Sequence, residues 1–312
     1  MKKYLSTVMM LVAAAIWGFA FSAQKAAAHV PAFTLVFARS LLGAIFLFFL
    51  IMILDKARKN GRQLVSKKGL DFNKTELVGG TVCGIILSLA SVLQQSGIGN
   101  GTDAGKAAFI TALYVVLVPV FGIFLRRRAP INAWISVGIA VVGFFLLCIK
   151  DGSTLEPSDA LVLLCALVFT MHILVIDHFS PRCDGVRMSC VQFAVATVVN
   201  LVFALILESP IEPSVIGSAI WPIVVLGIGS SGIAYTLQIV AQGNLNPTVA
   251  SIIMSLESVF GALGSAMFLG ETMNARENAG CAIVFVAVIL SQLDFSAMRK
   301  KRKSCDAGNE AK

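Results

Sequence analysis

Glu257 is a carboxylate inside an otherwise apolar run, 248–269. A charge at the middle of a hydrocarbon layer costs about 2.5–3.5 kcal/mol on insertion scales, so it needs a partner or a wet cavity. Glu257 lies about ten residues into its run, which at about 1.5 Å per residue is near half the thickness of a bilayer core. Its carboxylate can hold a cationic group or a proton; the other reading is an interhelical hydrogen bond to a Gln or Tyr. Arg39, in the run 33–54, suits anion recognition or a structural ion pair, with Glu257 as one partner to consider. Its long side chain can also snorkel. His172, in the run 160–176, titrates near neutrality wherever water reaches it and is otherwise a packed, hydrogen-bonded ring.

Amides and aromatic rings extend this set. Gln94, Gln95, Gln192, Gln238 and Gln242 stand in or at the ends of apolar runs, and each can donate and accept. They suit a polar, uncharged or zwitterionic group, or they serve as glue between helices worth about 1 kcal/mol each. Trp17, Tyr114 and Tyr235 can stack on an apolar or quaternary-amine moiety, whereas Trp221 fits an interfacial belt. The expected substrate-binding set is therefore Trp17, Arg39, Gln94, Tyr114, His172, Tyr235, Gln238 and Glu257.

Other chemistries lack their residues. The glycines Gly97, Gly99 and Gly101 lead to Gly105-Lys106-Ala107, which lacks the Gly-Lys-Ser/Thr ending of a phosphate loop. No HExxH or GxSxG occurs, so a membrane-embedded protease or hydrolase has no nucleophile or metal cluster to use. Of seven cysteines, Cys83, Cys148, Cys165, Cys190 and Cys281 lie inside apolar runs, and Cys183 and Cys305 have no obvious partner. No cofactor, metal or disulfide is called for.

The elements that must position these residues are membrane-spanning helices. Apolar residues make up 57% of the 312 and charged residues 13%, with a mean hydropathy of +0.85, beyond the range of soluble domains of this size. A bilayer core needs roughly 20 apolar residues per helix. Ten runs qualify: 5–23, 33–54, 77–97, 104–125, 131–149, 160–176, 188–207, 216–240, 248–269 and 278–293. Strand alternation is absent, which excludes a β-barrel. The fold class is all-α and polytopic.

The net charge of +8 has a topological explanation. With the amino terminus inside, twenty Lys and Arg fall on the inner side and four (Lys25, Lys106, Lys150, Arg276) on the outer side. Positive loops stay cytoplasmic, so both termini are expected there, in a cytoplasmic membrane. Nucleic acid is not a partner, because the basic residues sit in short gaps between apolar runs. Arg299 to Lys303 anchor the tail near acidic headgroups. Lys2 and Lys3 ahead of an apolar stretch also resemble a signal peptide, but that stretch is needed as the first span.

The two halves repeat. Leu93-Gln94 with Gly99-Asn100 matches Leu237-Gln238 with Gly243-Asn244, and the run from Gly138 to Val142 matches that from Gly280 to Val284. Each unit has an odd number of spans, so the second enters the membrane upside down. Inverted repeats place a solute site on a pseudo-two-fold axis in the membrane plane, where rocking the halves exposes it to either side.

These motifs resemble the EamA-domain proteins of the drug/metabolite transporter superfamily over nearly the whole chain. The resemblance rests on Trp17-Gly18 with Lys25, on Arg39, on FITALYVVLVPVF from Phe109 to Phe121, and on LESVFGALGSAMFLGE from Leu256 to Glu271 followed by Gly280. Members of that family read Glu-Pro where this chain reads Glu257-Ser258, so the kinking proline there is missing, while Pro119 keeps one. The resemblance implies ten helices in two inverted five-helix repeats, at 1–150 and 151–298, with 299–312 a basic tail. It also implies a central cavity lined mainly by helices one, three, four, six, eight and nine. The resemblance implies export or exchange of a small metabolite but no particular substrate; the expected activity is export of an amino-acid-like or amine-containing solute, with uptake as the alternative and proton coupling open to Glu257 and His172 if they line the cavity. Oligomeric state is not fixed, since the Gly80 to Gly84 spacing packs within a monomer or between protomers.

Overall fold

The computed structural model describes residues 2–59, 72–126, 129–148, 156–210, 212–269 and 275–292. The basic tail 299–312, Arg127, Arg128, Lys150, Glu271, Cys305 and the middle of the basic loop, 60–71, lie outside the described residues. Among the described residues every element is helical. Three long helices come first: α1 Lys2–Ala26, α2 Ala32–Lys59 and α3 Lys74–Gly99. The next run is split into α4 Ala104–Ala112 and α5 Tyr114–Phe124, and α6 Ile131–Cys148 follows. Then come α7 Pro157–Phe179 and α8 Gly185–Leu207. The eighth run strings together α9 Pro213–Ser218, α10 Ile220–Val224, a π-helical stretch Val225–Ala234 and α11 Tyr235–Gln242. The chain closes with α12 Pro247–Met254, α13 Glu257–Leu269 and α14 Ala275–Gln292.

Eight of these helices or joined runs are long and apolar enough to cross a membrane, and shorter apolar stretches lie at Ile131–Gly143 and Asn278–Ser291. The chain is a multi-pass membrane protein. Its outer surface carries the apolar side chains a lipid-facing bundle requires, with Phe49, Ile53, Leu89, Phe124 and Met267 all exposed. Trp221 is 74% exposed, as an interfacial ring would be.

Local sequence sets the helix starts. Asn73 Oδ1 accepts from Glu76 N at 2.7 Å while Glu76 Oε2 accepts from Asn73 N at 2.9 Å, a reciprocal cap that opens α3. Asp184 Oδ1 accepts from Val186 N and Arg187 N to open α8. Asn246 Oδ1 accepts from Thr248 N at 3.0 Å, with Pro247 at the first helical position, as expected for α12. Asp103 departs from expectation. It stands at the N-cap of α4 but its side chain makes no capping hydrogen bond; the carboxylate turns instead to Lys25 Nζ at 3.9 Å.

Packing runs between the halves. The helix pairs in contact include α2 with α8, α3 with α7 and with α8, α6 with α14, α1 with α13, and α4 with α7. The π-helical stretch packs on α1 and α2. A Cβ on Gly80 would stand 2.6 Å from Val191 Cβ, and one on Gly84 2.6 Å from Gln192 O, so this small-residue pair seats α8 within the monomer. At one end of the α2, α3 and α8 group, the fully buried Arg187 donates from Nη2 to Asp55 Oδ1 at 2.8 Å and lies over the Phe72 ring.

Candidate functional site

Two helices are interrupted at equivalent places. The break between α4 and α5 falls at Leu113, and that between α12 and α13 at Ser255 and Leu256. Pro119 lies inside α5, where its missing N–H weakens the turn that leads into it. No proline breaks the second helix. There Ser251, Ser255 and Ser258 each turn a hydroxyl back onto the carbonyl three residues earlier, at 2.8, 2.7 and 2.7 Å. Such back-bonding competes with the helical ladder and bends it. Glu257 is thereby the first residue of α13.

The breaks face a cavity that gathers side chains from both halves. α1 supplies Trp17, Phe21 and Gln24; α2, Arg39; α3, Gln94; the α4–α5 junction, Thr111 and Tyr114. From the second half come Phe169 and Ile173 of α7, Ser230 of the π-helical stretch, Tyr235 and Gln238 of α11, Met254 and Glu257. The cavity leaves about 40 Å³ open to the centre of a water molecule, where one water needs about 10–15 Å³. It is a narrow site, with room for a small solute, that is not sealed from its surroundings.

Close helix contact makes it possible. A Cβ on Gly18 would meet Phe260 Cβ and stand 2.7 Å from Glu257 O, so only glycine lets α1 lie this close to α13. The neighbouring Trp17 and Glu257 consequently share one cavity. Trp17 packs edge-on against Tyr235, ring centroids 4.8 Å apart, and Tyr235 rests in turn on Phe193 at 5.5 Å.

Both charges are buried. Arg39 and Glu257 are each 5% exposed. Arg39 Nε and Glu257 Oε1 have no hydrogen-bond partner in the protein, and the two residues form no ion pair with each other. The Tyr114 hydroxyl lies beside the Glu257 carboxylate, and Trp17 Nε1, Gln24 Oε1 and Gln238 Oε1 have no hydrogen-bond partner in the protein. Buried polar atoms are nearly always satisfied, and unpartnered ones occur both elsewhere among the described residues, as at Gln242 Oε1 and Arg187 Nη1, and around this cavity. Gln94 is the exception, donating from Nε2 to Thr111 Oγ1 at 3.0 Å.

Seven of the eight expected residues therefore meet at the cavity. His172 does not line it. Its ring stands behind Tyr235, 5.9 Å between centroids, with Nε2 3.0 Å from Gln192 Oε1. The remaining amides act between helices, as Gln95 Nε2 donates to Gln24 O and Gln242 Nε2 to Ile173 O. Sequence reasoning missed Gln24, Phe21, Thr111, Phe169, Ile173, Ser230 and Met254. For Thr111 a signal existed, because the internal repeat that pairs Gln94 with Gln238 also pairs Thr111 with Ser255. Among the described residues no cluster of His, Cys, Asp and Glu could hold a metal ion.

Known proteins resemble the chain throughout. The EamA-like transporter family matches residues 5–149 and again 157–293. An uncharacterized transporter of Archaeoglobus fulgidus is 29% identical over 227 residues, covering 72% of this chain and 70% of that one. The uncharacterized transporter YoaV of Bacillus subtilis is 20% identical over 288 residues, covering 90% and 94%. A solved crystal structure at 18% identity superposes with a TM-score of 0.73, covering 92% of this chain and 98% of that one, and so shares the fold. With the family matched twice along its length, the chain is a membrane transporter belonging to the EamA-like transporter family of the drug/metabolite transporter superfamily.

Proposed function

We propose that this transporter exports a small polar metabolite, amino-acid-like or amine-containing, across the cytoplasmic membrane by alternating access at the cavity around Glu257. Two inverted five-helix halves, 1–150 and 151–298, rock about that site, with both termini cytoplasmic. Ten spans are reached by counting α6 and α14, whose 18 residues each extend about 27 Å. The helix contacts support the inversion. Exchanging corresponding spans between the halves turns the pair α3 with α7 into the eighth run with α1, α4 with α7 into α12 with α1, and α5 with α7 into α13 with α1; α2–α8 and α6–α14 map onto themselves. All of these contacts are present.

The observation that carries the reading is the pair of buried opposite charges, Arg39 and Glu257, which line one cavity between the halves and form no ion pair with each other. A purely structural pair would close on itself, since isolated buried charge is costly. His172, set behind Tyr235, leaves Glu257 as the acid of the cavity, so any proton exchanged for solute is carried there; a flux unchanged by an imposed pH gradient removes the proton from the cycle. The test is thermal unfolding of detergent-purified protein with amino acids, amines, nucleosides and nucleotide sugars, comparing wild type with Glu257→Gln. A ligand that binds only the folded state raises the midpoint. An upward shift with amino acids or amines that vanishes in Glu257→Gln is expected; shifts only with nucleosides or nucleotide sugars overturn the reading.

A further inference from the structure

Two glycine contacts sort the helices around the cavity into two bodies. Gly18 seats α1 on α13, and Gly97 seats α3 on α7, where a Cβ would meet Val162 Cγ2 and stand 3.0 Å from Ser158 O. Close packing of this kind resists separation, because parting the helices leaves a void. The cavity takes Trp17, Phe21 and Gln24 from α1 and Gln94 from α3, so it borders both bodies. Where α1 and α3 finish, the end that the proposed topology places outside, two polar ties cross from one body to the other. Gln95 Nε2 of α3 donates to Gln24 O of α1 at 3.3 Å. Lys25 Nζ, in the last turn of α1, donates to Thr102 O at 3.2 Å and lies 3.9 Å from Asp103 Oδ1, both in the turn between α3 and α4.

The receiving turn is itself pinned to α7. Thr102 Oγ1 donates to Asp159 Oδ1 at 3.0 Å, while Asp159 Oδ2 lies 2.6 Å from Lys106 Nζ and accepts from Glu156 N at 2.8 Å. Thr102 and Asp159 are each 2% exposed, so the turn stays with α7 when α1 moves. Lys25 is built differently. Its side chain is 30% exposed, and a hydrated ammonium on a flexible stem can leave its site without burying a bare charge. Resting on the transport reading above, we infer that Lys25 is a strap that closes the cavity at this end, and that Lys106 and Asp159 position the turn that receives it. The ammonium leaves Thr102 O and Asp103 when α1 parts from the turn and returns when the solute has passed. At the opposite end Gln242 Nε2 makes an amide tie to Ile173 O at 3.1 Å, but the internal repeat sets Pro247 where Asp103 stands, so the carboxylate that receives Lys25 is not repeated there. The pair α2 and α8 does not open, since it is tied at both ends, by Glu208 accepting from Phe33 N and Thr34 N and by Arg187 on Asp55.

The first readout needs no solute. A cysteine placed at Gln24, on the cavity wall just inside the strap, is labelled in reconstituted vesicles with a membrane-impermeant maleimide applied from the side on which α1 ends, and labelling at that position is followed by mass spectrometry. Adding Lys25→Gln is expected to speed labelling about threefold to tenfold, the scale of one charge-assisted hydrogen bond lost at a partly screened site. Asp103→Asn is expected to act in the same direction and serves if Lys25→Gln does not fold. A lowered unfolding midpoint with an unchanged labelling rate is the mark of a merely structural contact and overturns the inference. The second readout is counterflow with Lys25→Cys and Asp103→Cys joined by a short bis-methanethiosulfonate bridge. Bridging is expected to stop exchange and reductant to restore it, whereas the same bridge between Thr34→Cys and Glu208→Cys, across α2 and α8, leaves exchange running. Exchange that continues with positions 25 and 103 bridged overturns the strap. If the unbridged protein exchanges no amino acid or amine, the transport reading falls, and the labelling rates still decide whether Lys25 guards the cavity.

Discussion

Replacing Gly18 by alanine adds one methyl group at the closest contact between α1 and α13. The new Cβ would meet Phe260 Cβ and stand 2.7 Å from Glu257 O and 2.8 Å from Gly261 N. Two of these neighbours are backbone atoms, which cannot rotate aside. The helices must part by at least about 0.7 Å, the difference between 2.7 Å and the 3.4 Å at which ordinary contact begins, and by more to clear Phe260 Cβ. Overpacking of this kind costs about 1–3 kcal/mol, and the better helix propensity of alanine returns about 0.5–1 kcal/mol. A net loss of about 1–2 kcal/mol is predicted, a factor of about 5–30 in the ratio of folded to unfolded protein. The displacement also moves the backbone that carries Glu257, so solute affinity falls with stability. Thermal unfolding in detergent and solute titration measure the two effects. A Gly18→Ala protein that melts at or above the wild-type midpoint and binds solute equally well would refute the packing described for α1 and α13.

Gly138 in α6 supplies the opposite case: a Cβ there meets nothing within 4 Å, so Gly138→Ala should stabilise by about 0.5–1 kcal/mol, read as a raised midpoint. Asp55→Ala should cost about 3–5 kcal/mol, because Arg187, 1% exposed, loses its ion-pair partner inside the protein. Replacing both Asp55 and Arg187 with apolar residues should recover most of that loss, and a double variant as unstable as the single one would contradict the ion-pair account. For orientation, reporter fusions at the amino terminus and in the loop 60–71 should report cytoplasmic positions and a fusion after Gly101 the opposite side; a fusion series in the reverse sense would overturn the proposed topology.

Much of this architecture is readable from residue chemistry. Apolar runs fix the spans because a bilayer leaves the backbone no other partner than itself, and the cost of intramembrane charge singles out Glu257 and Arg39 before any coordinates. What escapes has physical reasons. Phe169, Ile173 and Met254 line the cavity but are apolar residues in apolar helices, so nothing in their type distinguishes them from neighbours that face lipid. The break before Glu257 has no proline to announce it and depends on three serines turned back on the ladder, a geometry invisible until the helix is built. His172 reads as a cavity residue by type and depth, yet helix rotation sets it behind Tyr235. Arg187 reads as one of many inner positive charges, whereas packing of α8 against α2 buries it completely.

Counterflow in reconstituted liposomes tests the central claim most directly. Vesicles loaded with an unlabelled amino acid that raises the unfolding midpoint are diluted into a trace of the labelled form. Transient accumulation of label is predicted with wild-type protein and none with Glu257→Gln of normal stability. Uptake no faster than in protein-free vesicles, or equal uptake with Glu257→Gln, would contradict a solute cavity centred on that carboxylate.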